Sequence, residues 1–198
     1  MKKLENIIIG VIGPEGSGKS TITKRLAAET GLPRVYPGDL LREYAKNDKG
    51  PIGDAARKMF AENAYFPPYM LLDVMKRRFA EGDLTRGFIL DGPFRTVEET
   101  QGYPQLLRDT GLAMPVTVVS LRIPGWLSLD RLALGVNARA RDDDTPTGVL
   151  RRLGHFYDKL GLRMRAIREN GWHSLHVRAI NQPEDVYQGV MTALNSKR

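Results

Sequence analysis

A chain of 198 residues, 41% hydrophobic and 27% charged, is long enough for one compact domain with a real core and lacks the polar bias of a disordered chain. With no cysteine it can hold no disulfide framework, no thiolate zinc site and no catalytic thiol, and a cytoplasmic location is expected. The net charge of +7 asks for an anionic partner, which could be a nucleic acid, a membrane surface or a phosphorylated small molecule; charge alone does not choose.

The chain opens with MKKLENIIIGVIG, which turns glycine-rich too soon for a secretory signal and reads as a first strand over IIIGVI, residues 7–12. No apolar run approaches the roughly 20 residues of a membrane span, so no membrane partner is expected. GPEGSGKST, residues 13–21, follows the strand and precedes the helical pattern KSTITKRLAAE, the context that gives G-x-x-x-x-G-K-[ST] its meaning as a phosphate loop. Its glycines, Gly13, Gly16 and Gly18, let backbone N–H groups turn onto phosphate oxygens, with Ser17 and Thr21 in the same cradle. Lys19 reaches the β and γ phosphates, and Ser20 ligates Mg²⁺ at the helix N-terminus. The loop therefore predicts binding of a nucleoside triphosphate, ATP, with Mg²⁺.

From Gly38 to Gly82 the strand pattern stops, and helices are expected near 39–48, 53–63 and 68–81, the last opened by proline in FPPYM. Strand patterns return at FILD (88–91), PVTVVSLRI (115–123) and HSLHVRAI (173–180), each followed by a helical stretch. Such alternation implies a mostly parallel sheet covered on both faces by helices. GVNARARDDDTPT, 135–147, carries loop chemistry. Asp91 ends its strand on the side where a parallel sheet gathers functional groups, and a metal-holding role is expected for it beside a phosphate loop. Phosphoryl transfer needs fixed positive charge around three equatorial oxygens, and Arg42, Arg95, Arg131, Arg139, Arg141 and Arg152 are the candidates. His155, His173 and His176 lack metal-ligand spacing and are read as structural, and Trp126 and Trp172 as packing residues.

Four segments carry a resemblance to the adenylate kinase family of nucleoside monophosphate kinases, in its short-lid form. They are GPEGSGKST, GDLLRE at 38–43, GFILDGPFRT at 87–96 and RDDDTPTGVLRRL at 141–153. The resemblance implies an α/β P-loop fold with a parallel sheet of about five strands. It implies a single kinase domain with core 1–36, 82–134 and 148–198, a helical monophosphate-binding insertion at 37–67 with connecting helix 68–81, and a short lid at 135–147. It implies that Gly38, Asp39, Arg42 and Arg95 take the monophosphate, and that Lys19, Arg95, Arg131, Arg141 and Arg152 act on the transferring group. Arg131 would lie against the ATP base, and Arg139, Asp143 and Asp144 would close the lid. Without cysteine no zinc is expected, and no nucleic-acid motif accompanies the charge; a monomer acting on ATP and a monophosphate is the expectation.

The chain departs from the family at several points. Gly135 stands where a second pre-lid arginine is expected, so a nucleotide-binding regulatory protein with weak turnover is the alternative, and Arg139 is the candidate substitute. Pro37 replaces a threonine, GPF reverses the order Phe-Pro, and Glu99 stands where a glutamine would meet adenine. A carboxylate only accepts hydrogen bonds, whereas adenine offers both a donor and an acceptor, so altered monophosphate preference among AMP, GMP, UMP and CMP is expected.

Overall fold

The computed structural model describes residues 4–62, 64, 66–135 and 145–196. The first strand, β1 (Ile8–Ile12), is buried along its whole length because it is the middle strand of an all-parallel sheet in the order β2-β3-β1-β4-β5. The others are β2 (Arg34–Val35), β3 (Phe88–Asp91), β4 (Val116–Arg122) and β5 (His173–Arg178). Side chains alternate between faces with period two. Ile8 and Ile12 accordingly enter one core, while Ile9 and Val11 enter the other. Each such side chain contributes about 1.5–3 kcal/mol by leaving water.

Among the described residues the helices are α1 (Lys19–Thr30), α2 (Pro37–Asn47), α3 (Pro51–Glu62), α4 (Pro68–Phe79), α5 (Val97–Asp109), α6 (Gly125–Leu129), α7 (Pro146–Asp158), α8 (Leu160–Glu169) and α9 (Pro183–Asn195), with a π-helical turn, Asp130–Leu134, after α6. Proline opens α2, α3, α4, α7 and α9, where its missing N–H and fixed φ are no handicap. The side chain of Thr145 caps α7 by accepting from the Gly148 N–H at 3.1 Å. Residues of α2 to α5 and α8 build the core on one face of the sheet, and α1 and α9 that on the other. The last helix is tied to the first: the Tyr187 hydroxyl donates to Glu29 at 2.7 Å, and Arg25 pairs with both Glu29 and Glu184.

The three helices expected between Gly38 and Gly82 are present within two residues of their anticipated limits, and all four strands read from sequence form. The fifth, β2, is only two residues long, too short for any periodicity to show. Trp126 is a correction: it is 69% exposed on α6 and packs in no core. Trp172 does pack, with its ring 5.0 Å from that of Phe94. No described helix is long and apolar enough to cross a membrane.

Chain leaving β1 goes to one side for β2 and β3 and to the other for β4 and β5. The crevice above the carboxyl end of β1 is therefore the topological switch point where ligands bind in sheets of this kind.

Candidate phosphate-transfer site

The segment Gly13–Thr21 fills that crevice. Gly16 has φ of +77°, a conformation open to glycine, and a Cβ there would come 3.1 Å from the Ser128 carbonyl oxygen. This close approach locks the loop against α6. Lys19 opens α1, and its ammonium donates to the carbonyls of Gly13 and Pro14 at 2.8 and 2.9 Å, so it spans the mouth of the loop. Ser20 and Thr21 line the same cavity of about 960 Å³, together with Asp91, Arg42, Arg95, Arg131 and Arg152. These arginines and Lys19, all from different elements, thus face one space, which is the charge pattern a polyphosphate needs.

Each cation is held in place. Arg42 on α2 pairs with Asp39 at 2.8 Å and lies over the rings of Tyr36 and Phe60. Arg95 donates through Nε to the Gly92 carbonyl at 3.1 Å. Arg131 joins the loop to the end of β5 by donating to Gly16 at 3.1 Å and to Ala179, the residue after that strand, at 3.0 Å. Nε of Arg152 lies 2.9 Å from a carboxylate oxygen of Glu15, inside the phosphate loop. Gly38 lets the Tyr36 ring pack close, since a Cβ there would lie 2.6 Å from Cζ of that ring and would push it aside. Behind the loop, Arg131 and Asp130 also border a second cavity of about 730 Å³ with Ser17, Asn181 and Gln182.

Asp91 is 1% exposed. Its Oδ2 accepts from the Thr23 hydroxyl at 2.9 Å and from Arg34, whose Nε lies at 3.1 Å and whose Nη2 forms the ion pair. Oδ1 has no hydrogen-bond partner. A buried carboxylate oxygen without a partner, on the wall shared with Ser20, suits a hard, oxygen-seeking cation or its water shell. Among the described residues no group of three or more His, Cys, Asp or Glu side chains could hold a metal unaided, so a cation here would take further oxygens from its substrate or from water.

Glu99 is the chief correction to the sequence reading. It is 1% exposed and is absent from the cavity wall, because both carboxylate oxygens accept backbone N–H groups, from Phe94 and Arg95, each at 2.8 Å. Burial pushes its carboxyl above the ordinary range, against the opposing pull of those amides and of Arg95. Both oxygens are thus turned to the backbone and away from the cavity, which removes Glu99 as a reason to expect altered monophosphate preference. The signal that places Glu99 inside is Thr96-Val97-Glu98-Glu99, the capping-box spacing, and Thr96 Oγ1 does accept from the Glu99 N–H at 3.0 Å.

Sequence reading also passed over Arg34, Glu15, Tyr36 and Arg163, all but Arg34 on the cavity wall, and His155, read as structural, lines it too. Arg139, Arg141, Asp143 and Asp144, expected to close the lid, lie outside the described residues.

The sequence model of the adenylate kinase family matches residues 11–165. Among curated proteins, the adenylate kinase of Xanthomonas euvesicatoria pv. vesicatoria is 34% identical over 149 residues, covering 75% of this chain and 78% of that protein. The adenylate kinase of Xylella fastidiosa is 29% identical over 184 residues, covering 93% of this chain and 97% of its own length.

Proposed function

Because the chain belongs to the adenylate kinase family and is therefore a phosphotransferase, we propose that it moves the γ-phosphoryl group of ATP reversibly to a nucleoside monophosphate, with AMP as the leading acceptor and Mg²⁺ as the metal. The observation that carries this is the one cavity onto which the phosphate loop, Asp91, Arg42, Arg95, Arg131 and Arg152 converge.

Phosphoryl transfer passes through a loose transition state with charge spread over the equatorial oxygens, so the protein's work is positioning and charge stabilisation. The loop N–H groups and Lys19 take the donor's phosphates. To do so the Lys19 ammonium exchanges the carbonyls of Gly13 and Pro14 for phosphate oxygens. Arg152 leaves Glu15 for the transferring group, a cation worth about 2.7–4 kcal/mol of barrier when placed on developing charge. Arg42 and Arg95 hold the acceptor's phosphate in line, and Arg131 places the donor's base end near the second cavity. Ser20 and Asp91 would hold the metal, which would supply positive charge to offset that of the phosphates. Tyr36, Met59 and Phe60 line the acceptor side and supply mainly apolar and aromatic surface to a base.

A coupled assay of ATP and Mg²⁺ against AMP, GMP, CMP, UMP and dTMP tests the reading. AMP should give the highest kcat/KM, and formation of ADP from no acceptor would overturn it. The absence of an arginine at Gly135 favours one second reading, a nucleotide-binding regulator with little turnover; tight ATP binding without ADP formation from any monophosphate is its signature.

A further inference from the structure

Phe94 has φ of +59°, the left-handed conformation that costs a residue with a Cβ about 1–2 kcal/mol. It stands directly before Arg95, the cation assigned above to the acceptor phosphate. Its ring is fully enclosed: Tyr103 meets it edge-on with centroids 4.9 Å apart, and a Cβ at Gly10 would approach it to 2.8 Å.

Two buried ionisable side chains grip the backbone of this one residue from opposite sides. The Glu99 carboxylate accepts the N–H of Phe94 and the N–H of Arg95, each at 2.8 Å. Nη1 of Arg163, on α8, donates to the Phe94 carbonyl at 3.2 Å. Arg163 is 2% exposed. Its other terminal nitrogen donates to the Phe156 carbonyl at 2.6 Å, and its guanidinium lies 4.6 Å over the Phe156 ring. The negative group thus meets the N–H end of the segment and the positive group meets the carbonyl end, each complementing the local dipole in a water-poor site where such contacts are strong. An ordinary capping box returns its carboxylate to the N-cap N–H; here the N-cap is Thr96, and the carboxylate reaches past it to the two residues before.

We propose that Glu99 and Arg163 are positioning residues for acceptor binding: together they clamp Phe94 in its left-handed conformation and so fix where Arg95 emerges into the cavity. The clamp couples α8 to the acceptor phosphate site through one residue of backbone. It also gives the Gly92-Pro93-Phe94 order a means of aiming Arg95, since glutamate and arginine together hold a turn that the sequence of the turn itself does not favour. The inference rests on the reading that Arg95 binds the acceptor's phosphate.

The test uses the full chain, wild type and Arg163→Met, Arg163→Lys, Glu99→Gln and Arg95→Met. AMP and a non-hydrolysable ATP analogue are titrated separately, and amide hydrogen exchange is followed at Phe94 and Arg95. Arg163→Met and Glu99→Gln should weaken AMP at least tenfold and leave the ATP analogue within about twofold, a selective loss that a merely structural defect would not give. Arg163→Lys keeps a charged donor and should recover part of the loss. Exchange protection at Phe94 and Arg95 should fall in the same variants. AMP affinity within about twofold of wild type, or equal weakening of both ligands, overturns the proposal. Should Arg163→Met fail to fold, the lysine and Glu99 variants decide it. Should wild type bind no monophosphate, the functional reading fails by itself; unchanged exchange protection in the variants would still overturn the clamp, and lost protection would support it.

Discussion

Replacing Arg34 with methionine removes the guanidinium from Asp91 and leaves only the Thr23 hydroxyl on Oδ2, so that a nearly fully buried carboxylate loses its counter-charge. At 3.1 Å and an effective dielectric near 20, the Coulomb term is about 5 kcal/mol before desolvation of the guanidinium is subtracted. Removing one partner of a buried pair costs about 3–5 kcal/mol, and the Arg34 side chain, 17% exposed, belongs at the lower end, near 3 kcal/mol. For a chain of this length each kcal/mol moves Tm by about 2–4 °C, so a fall of roughly 6–12 °C is expected. The assay is calorimetric melting of wild type and Arg34→Met, with and without millimolar Mg²⁺. With Arg34 gone, the Asp91 charge is no longer offset, and Mg²⁺ should raise the melting temperature more in the variant than in the wild type. A variant that melts within about a degree of wild type in metal-free buffer would refute the account of the pair. Equal response of both proteins to Mg²⁺ would refute the account of Asp91 as the metal's oxygen.

Lys19→Met should leave circular dichroism unchanged and lower kcat by about 10²–10³-fold, the effect of losing one cation at the transferring group; a smaller loss than tenfold would remove Lys19 from that role. Glu15→Gln frees Arg152 from a partly exposed pair worth about 0.2–1 kcal/mol, and calorimetric titration should find ATP bound up to several-fold more tightly, whereas weaker binding would show that Glu15 supports the loop. Burial raises the folded-state pKa of Glu99, so its contribution to stability is full below the unfolded carboxyl value and is lost as pH rises through the raised one. Denaturant melts should therefore show wild type losing stability relative to Glu99→Gln as pH climbs through that window, and a difference independent of pH would contradict this. Gly87 has φ of +106° and a Cβ there would lie 2.5 Å from the Ile7 carbonyl oxygen; Gly87→Ala should cost about 2 kcal/mol or more in urea unfolding, and a neutral result would mean that β1 and β3 can shift apart.

Most of the fold was legible because its signals are local. The buried run of β1, the loop grammar of Gly13–Thr21 and the prolines at helix starts each declare themselves within a dozen residues. What escaped depends on distance. Arg34 belongs to a strand of two residues and becomes meaningful only where β3 brings Asp91 beside it, 57 positions later. Arg163 gains its role from a carbonyl 69 positions earlier. Glu99 was readable: its capping-box spacing was in the sequence, but its alignment with a base-reading glutamine pointed outward while the physical chemistry of the N-terminal turn drew it in. Trp126 shows the opposite failure, since a large aromatic invites a packing assignment, whereas the five-residue α6 buries Ser128 and leaves the indole outside.

The two tryptophans divide the molecule into two optical channels. Trp172 lies tilted against the Phe94 ring and is partly buried against the core, so its emission should be blue-shifted relative to that of Trp126 and should answer to events at the acceptor turn. Trp126 is open to solvent on the helix whose Ser128 hydroxyl donates to the Glu15 carbonyl of the phosphate loop. Its red-edge emission and access to a dissolved quencher should follow donor occupancy. Replacing either indole with phenylalanine would silence one channel and leave the other, so that the order in which two nucleotides settle could be timed in a stopped-flow fluorimeter without attaching any dye.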